Sequence, residues 1–248
     1  MGNHLRYDYA GDRRLREGAD WFGRRPSGLQ RHFHDEVQVS VVWHGCRDYR
    51  IGTSRLRLRP GQILVIAPLR PHHALPSLQA EVRSIEFYLA PAAQSAVARQ
   101  WLGSSDFAII EAAEWPHMAP DDVVEAIARC LSETAEVSAP RLSQPAASPE
   151  AVLIEATLKH DSVHDAARDT GFTREGFIRA FFRHHGMTPH AYKMNRRLNR
   201  GRDLLRQGEA IADIAQATGF SDQSHFGRAF LNFFGATPGR FRAAHRIS

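Results

Sequence analysis

The 248-residue chain has almost no cysteine: Cys46 and Cys130 are the only two, far apart and in no CxxC spacing. They read as reduced, structural thiols rather than as a disulfide framework. Long apolar runs are missing as well, and none approaches the roughly 20 residues that a bilayer span needs. Met1 to Asp20 is polar and charged, with no apolar h-region, so neither a secretory signal nor a membrane partner is expected and the location should be cytoplasmic. Nothing has the form of a catalytic triad, a phosphate-binding glycine loop or a paired-carboxylate site. No catalytic residue, enzymatic activity or cofactor is therefore expected.

Lysine is scarce too. Only Lys159 and Lys193 occur among 32 basic residues, and the rest are arginine. Arginine suits bidentate contacts with phosphate and guanine, although a GC-rich genome would give the same bias. Its distribution says more. Residues 150–248 hold 15 Lys+Arg against 10 Asp+Glu, out of 32 and 27 in the chain, so the first 149 residues are neutral and the net +5 lies entirely in the remainder. A localised positive excess is the electrostatic footprint expected for a polyanion such as DNA.

Residues 31–90 read as short strands between turns. Val37 to Trp43 is a strand, Gly45 a turn, and Leu56 and Leu58 alternate with Arg55, Arg57 and Arg59. Pro60-Gly61 and Pro68 to Pro71 are further turns, around the apolar Ile63 to Ala67, and Val82 to Leu89 closes the series. Such spacing favours a small barrel or sandwich. Helical spacing follows over Ala92 to Leu102 and Asp121 to Ser132. The Ala/Ser/Pro-rich stretch from Ala135 to Pro149 has linker composition, and everything beyond it reads as helix. The expected class is α+β: a β-rich domain over 1–134, a linker over 135–149 and an all-α domain over 150–248.

The last part repeats itself. Ala167 to Phe172 (ARDTGF) recurs 48 residues later as Ala215 to Phe220 (AQATGF); Gly186-Met-Thr-Pro189 recurs 49 residues later as Gly235-Ala-Thr-Pro238. The extra residue must fall in the second helix of the repeat or in its turn. Each copy predicts a short helix ended by a C′ glycine, a tight turn, an N-cap at Thr173 or Ser221, and a second helix that stops at Gly186 or Gly235. Thr-Pro then opens the next helix. Two helices joined by a short glycine turn make a helix-turn-helix, whose second helix can enter a major groove. A plain helical hairpin has the same pattern, but two copies together with the basic excess favour DNA. Pro189 to Gln207 should form one rod, carrying Arg196, Arg197, Arg200 and Arg206, with Leu198, Leu204 and Leu205 packing it against both units. Such a rod would hold the two readers in successive grooves, about 34 Å apart.

The stretch Gly219 to Phe230 (GFSDQSHFGRAF), followed by Phe234 to Arg242 (FGATPGRFR), resembles the signature of the arabinose-operon regulator (AraC/XylS) family, and the likeness covers about 150–248. The resemblance implies that Gln223, Ser224, His225, Gly227 and Arg228 face DNA from the second unit, and Arg174, Glu175, Ile178 and Arg179 from the first. It also puts Phe172, Phe177, Phe181, Ala215, Phe220, Phe226 and Phe230 in the core. By side-chain type, Arg179 and Arg228 suit guanine, each worth about 1–3 kcal/mol of discrimination, and Gln223 suits adenine. Glu175 suits cytosine or simply the positive helix terminus, while Ser224 and His225 suit phosphate. Two glycines depart from the family: Gly176 in the first reader and Gly201 in the rod. A helix-interior glycine costs about 1 kcal/mol relative to alanine, so the first unit is expected to be less rigid.

Arg31-His-Phe-His-Asp-Glu36, with Gly45, Pro60-Gly61 and Pro68 to His72, resembles the cupin barrel that often precedes this DNA-binding domain. By that resemblance His32, His34, Glu36, Trp43, Tyr49 and His72 are candidates for a small-molecule effector pocket, with His73 beside them. Asp121 to Ser132 is the candidate dimer helix, or else a packing helix. His32, His34 and His72 also resemble cupin metal ligands, because imidazoles two apart on a strand share a face; Glu36 follows too closely for the usual spacing, and no metal is expected. The function so implied is an effector-responsive transcription regulator, an activator by resemblance, with promoter half-sites, RNA polymerase and a second copy of the chain as partners. The alternative is a metal-dependent cupin enzyme fused to a DNA-binding module. A methyl-accepting repair regulator is set aside, since Cys46 and Cys130 form no reactive cluster.

Overall fold

The computed structural model describes residues 4–8, 15–25, 29–103, 105–111 and 149–245. The expected helix from Asp121 to Ser132 and most of the linker lie outside them. Strands β1 (His4–Asp8), β2 (Leu15–Arg25), β3 (Gln38–His44), β6 (Gln62–Ile66), β8 (Ser77–Leu89) and β9 (Phe107–Glu111) form one antiparallel sheet, ordered β1-β2-β8-β3-β6-β9. The second sheet is β5-β4-β7, from β5 (Ser54–Leu58), β4 (Arg47–Ile51) and β7 (His72–Ala74). The two sheets fit the small barrel or sandwich that the strand spacing predicts and the cupin-like domain that the resemblance implies.

Alternation along β3 sorts the residues. Val37, Val39 and Val41 face a core closed by helix α1 (Pro91–Val97) and Leu102, at the end of the π turn Ala98–Leu102. Val42 faces the other way, toward Tyr49, Ile51 and Leu58 of the second sheet. Gln38 and Ser40 share that inner face, and the register sets Ser40 beside Glu86 and Gln38 beside Tyr88. The space between the sheets is therefore partly polar. Arg47 donates to Ser84 and Glu86 there, and Tyr49 Oη donates to Glu86 at 3.3 Å.

Helices α2 (Pro149–Lys159), α3 (Val163–Asp169), α4 (Arg174–His185), α5 (Pro189–Arg206), α6 (Ile211–Ala217), α7 (Gln223–Phe234) and α8 (Pro238–His245) complete the described chain. Pro149, counted with the linker by composition, already opens α2. Ser162, Thr173 and Thr188 cap α3, α4 and α5, each accepting the N–H three residues on. The second reader departs from expectation. Asp222, not Ser221, caps α7 by accepting the His225 N–H, and Ser221 Oγ lies 3.1 Å from His225 Nδ1 instead. Since α4 and α7 are both 12 residues long, the extra residue of the second repeat sits in its turn.

Two cores follow. Phe177, Phe181, Met187 and Tyr192 close the first unit; Leu198, Leu205, Ile214, Phe220, Phe226, Phe230 and Phe241 close the second. Leu198, Leu204 and Leu205 thus serve the second unit alone, because one stripe of α5 meets one partner. Phe172 is not core but 44 % exposed. The shorter first turn leaves its ring centroid 6.4 Å from Phe177, whereas Phe220 lies 5.3 Å from Phe226, under the Arg197 guanidinium at 4.4 Å.

Gly201 does not interrupt α5. A Cβ there would stand 2.7 Å from the Phe226 ring and 3.4 Å from Ile214, so the glycine lets the rod press against the second unit. Gly176 sits at the third position of α4, where its N–H donates to Thr173 Oγ1 at 3.0 Å.

Candidate functional site

Both reader helices begin at a capped, solvent-facing first turn. Arg174, Glu175 and Arg179 are exposed and Ile178 is half-buried; Gln223, Ser224 and Arg228 are exposed, with His225 and Gly227 half-buried. Aligned from their first residues, the helices match position for position: Arg174 with Gln223, Ile178 with Gly227, Arg179 with Arg228, and buried Phe177 and Phe181 with Phe226 and Phe230. The cap and the two phenylalanines fix which face points outward. Glu175 is held below the usual carboxylate range by its own backbone N–H and by Arg174. His225 packs edge-on against Phe220, with ring centroids 5.2 Å apart.

The first reader also faces the β-domain. Ile178, Arg179, Phe182 and Arg183 of α4 form one wall of a cleft of about 800 Å³, whose other wall includes Arg50, Gly52 and Thr53. The two halves meet along the segment Arg31–Glu36, most of which lies against α4 and α5, and the Gln30 N–H before it donates to the Asn232 carbonyl at 3.2 Å. Arg31 donates to the Gly186 carbonyl at the end of α4. Phe33, fully buried, enters the first unit's core 4.8 Å from the Tyr192 ring, while Asn195 receives its N–H at 2.7 Å and donates to its carbonyl at 3.0 Å. Asp35 pairs with Arg196 at 3.0 Å. Glu36 pairs with Arg206 at 3.0 Å and Arg202 at 3.4 Å.

Arg202 is the largest fully buried side chain among the described residues. Its guanidinium stacks 4.4 Å over Tyr88 of the β-domain, 5.3 Å from Phe234 and 5.8 Å from Phe241 of the second unit. It also donates to His34 Nδ1 at 2.9 Å. One cation therefore touches the β-domain and the second unit at once. Charge transferred into such a site is tolerated only with its partner ion and hydrogen bonds in place.

His32, His34 and His72 do come together, each offering a ring nitrogen within 4.8 Å of the others. Burial holds all three below the ordinary imidazole range: His72 falls to about 4, and the Arg202 charge adds to the lowering of His34. The cluster does not fit a metal as arranged. An arginine only donates, so His34 accepts at Nδ1 and its Nε2 carries the proton. That Nε2 is buried without a partner, and binding an ion there would require breaking the Arg202 bond or forming an imidazolate. His72 is engaged on both nitrogens, by the Arg70 carbonyl at 2.8 Å and the Gln38 amide at 2.9 Å. Glu36, the nearest carboxylate in the segment, is committed to two arginines. Of the other pocket candidates, Tyr49 lies between the sheets, whereas Trp43 packs on the opposite face of β3 with the first core. The structure does not bring Trp43 to the histidines.

Comparison with known proteins fits this geometry. Residues 166–244 match a helix-turn-helix domain model, and residues 24–160, more than half the chain, match the AraC-like ligand-binding domain. The chain belongs to the AraC family. Among curated relatives, an uncharacterised regulator of Bacillus subtilis, YbfI, is 39 % identical over 64 residues (26 % of this chain, 23 % of that one). The regulator ArgR of Pseudomonas aeruginosa is 33 % identical over 106 residues (42 % and 32 %). The chain thus spans a quarter to a third of these relatives' lengths. A solved structure, ToxT from Vibrio cholerae, shares the fold at a TM-score of 0.52 and 10 % identity, covering 92 % of this chain and 97 % of that one.

Within this AraC-family chain, residue-level reading missed the interdomain seam. Asn195, Asn199, Arg202 and Arg206 recur at i, i+4, i+7 and i+11, a polar stripe on one face of α5. All but Arg206 are buried, and Arg206 is only 10 % exposed at its side chain. A polar stripe opposite the leucines was the available signal.

Proposed function

We propose that the chain is a sequence-specific transcription regulator whose readers are α4 and α7 and whose β-domain responds to a small molecule. The observation that carries this reading is the pair of matched, capped reader helices with outward-facing polar residues, joined by one unbroken helix. In this reading Arg179 and Arg228 contact guanine, Gln223 adenine, and Ser224 and His225 phosphate, while Arg174, Glu175, Ile178 and Gly227 line the approach. No helix among the described residues is long and apolar enough to cross a membrane.

The histidine cluster acts as a relay rather than as a pocket. Through Arg202 and Glu36 it couples the β-domain to α5, so a ligand that favours one placement of the domain shifts the population of reader arrangements. That a ToxT structure has been solved with an unsaturated fatty acid bound agrees with small-molecule control on this fold. The protein works as a homodimer on promoter half-sites and as an activator in contact with RNA polymerase; the relatives named as activators, NphR and VirF, agree with that sign.

Genome-wide mapping of bound sites supplies the operator. On an operator fragment, Arg228→Ala is expected to weaken binding 5- to 150-fold, the equivalent of about 1–3 kcal/mol, and to relax preference at one base pair. Equal losses on operator and scrambled DNA would make Arg228 a phosphate contact.

A further inference from the structure

We propose that the cleft between the β-domain and the first helix-turn-helix unit binds a small organic polyanion, a phosphate monoester or a di- or tricarboxylate, and that this ligand is the effector. The inference rests on the regulator reading above and names the ligand's chemistry and place. At about 800 Å³ the cleft has the size of a small-molecule site.

Its charge is out of balance. Five arginines line it, Arg31, Arg50 and Arg70 from the β-domain and Arg179 and Arg183 from α4, against two carboxylates, Asp106 and Glu150. Asp106 is taken by Arg70 at 2.5 Å, and Glu150 lies 3.7 Å from His184. Arg50, Arg179 and Arg183 make no ion pair among the described residues. The β-domain wall also carries like charge: burial, and after it Arg50, holds the Arg31 guanidinium below its ordinary range, and His73 beside them is pushed down to about 4 by burial and by both arginines. Guanidinium forks match carboxylate and phosphate oxygens bidentately. Ile178 and the 51 % exposed Phe182 add an apolar strip for a ligand's carbon skeleton.

The position has a consequence for DNA. Arg179, which contacts guanine in the proposed function, and Ile178, which lines the approach there, also form the wall of this cleft. A polyanion bridging Arg50 to Arg179 and Arg183 holds the first reader against the β-domain, so ligand and first half-site compete while the second reader stays available. By linkage, DNA weakens the ligand by the same factor.

The test is calorimetric titration of the full chain at constant ionic strength with citrate, inorganic pyrophosphate and acetate, in the absence of DNA. Saturable binding is expected for citrate or pyrophosphate, and which of the two binds tells carboxylate from phosphate recognition; acetate should bind at least tenfold more weakly. Arg50→Glu and Arg183→Glu should each weaken binding at least tenfold, whereas Arg59→Glu, on an exposed turn outside the cleft, should not. An unchanged melting temperature in Arg50→Glu shows that the fold survives. The proposal is overturned if neither polyanion binds, or if Arg59→Glu matches the cleft variants, which would mean general charge screening. It is also overturned if Arg50→Glu weakens DNA binding without any probe effect, since the cleft would then track phosphate backbone. Because the titrations contain no DNA, failed base recognition by Arg228 and failed ligand binding are read separately.

Discussion

Replacing Phe33 by alanine isolates one contact between the halves of the molecule. Phe33 belongs to the segment that leads into β3, yet its ring is fully buried among Phe177, Phe181, Met187 and Tyr192 of the first helix-turn-helix unit. The substitution leaves its N–H and carbonyl in place, so both hydrogen bonds to Asn195 can persist. What is lost is the ring and the cavity it fills, a change that costs about 3–5 kcal/mol in cores of this kind. Urea denaturation can assign that loss to a domain, because all four tryptophans lie within the first 115 residues. Tryptophan emission follows the β-domain, and ellipticity at 222 nm follows chiefly the helices. The 222 nm midpoint should fall by the full amount, with emission shifting less. A fragment from 149 onward, lacking Phe33, should exchange amide protons faster in α3 and α4 than in α6 and α7. A loss under about 1 kcal/mol, or one confined to tryptophan emission, would refute the claim that the β-domain completes the first reader's core.

Removing Arg202 as Arg202→Met should cost about 3–5 kcal/mol, because Glu36 stays buried with only part of its compensation. Adding Glu36→Gln should recover part of that loss, and strict additivity would show that the two are not coupled. Gly201→Ala places a methyl 2.7 Å from Phe226; overpacking of about 1–3 kcal/mol against a helix gain of about 1 should lower the melting temperature, and a rise would contradict the close approach. Acidification acts through the buried imidazoles. His72 is neutral when folded down to about pH 4, while its unfolded form takes a proton near 6.5. Stability is therefore complete above pH 6.5 and is lost as the pH falls toward 4, by about 3 kcal/mol for this residue. His32 and His34 shift in the same direction, and a flat denaturation profile between pH 7 and 4.5 would contradict the burial.

Patterns internal to one element were legible in the sequence. The repeat of ARDTGF and AQATGF carried both helix-turn-helix units, and the alternation around β3 carried the two-sheet domain. Cap identity in the second turn was not legible, because Ser221 and Asp222 are both good caps and the spacing of the repeat left one residue unassigned. Nor was the fate of Phe172, which turns on a one-residue difference in turn length. The histidines converge although Arg31–Glu36 is not a strand beyond an isolated bridge between His32 and His72, and the partner of His34 comes from α5, 168 residues away, a pairing about which sequence spacing says nothing. Gly201 reads as a weakness when helix propensity is considered alone and as a fitted contact once Phe226 is across from it.

The two faces of α5 have different neighbours: Asn195, Asn199, Arg202 and Arg206 mate with the β-domain, Arg202 reaching Phe234 and Phe241 of the second unit as well, and Leu198, Gly201 and Leu205 pack on the second unit. A hybrid regulator spliced in the Ala/Ser/Pro-rich stretch would bring a foreign rod to the donor β-domain, with its polar seam unmatched. Grafting those four side chains along with the β-domain moves the joint that matters from the connecting peptide into a helix.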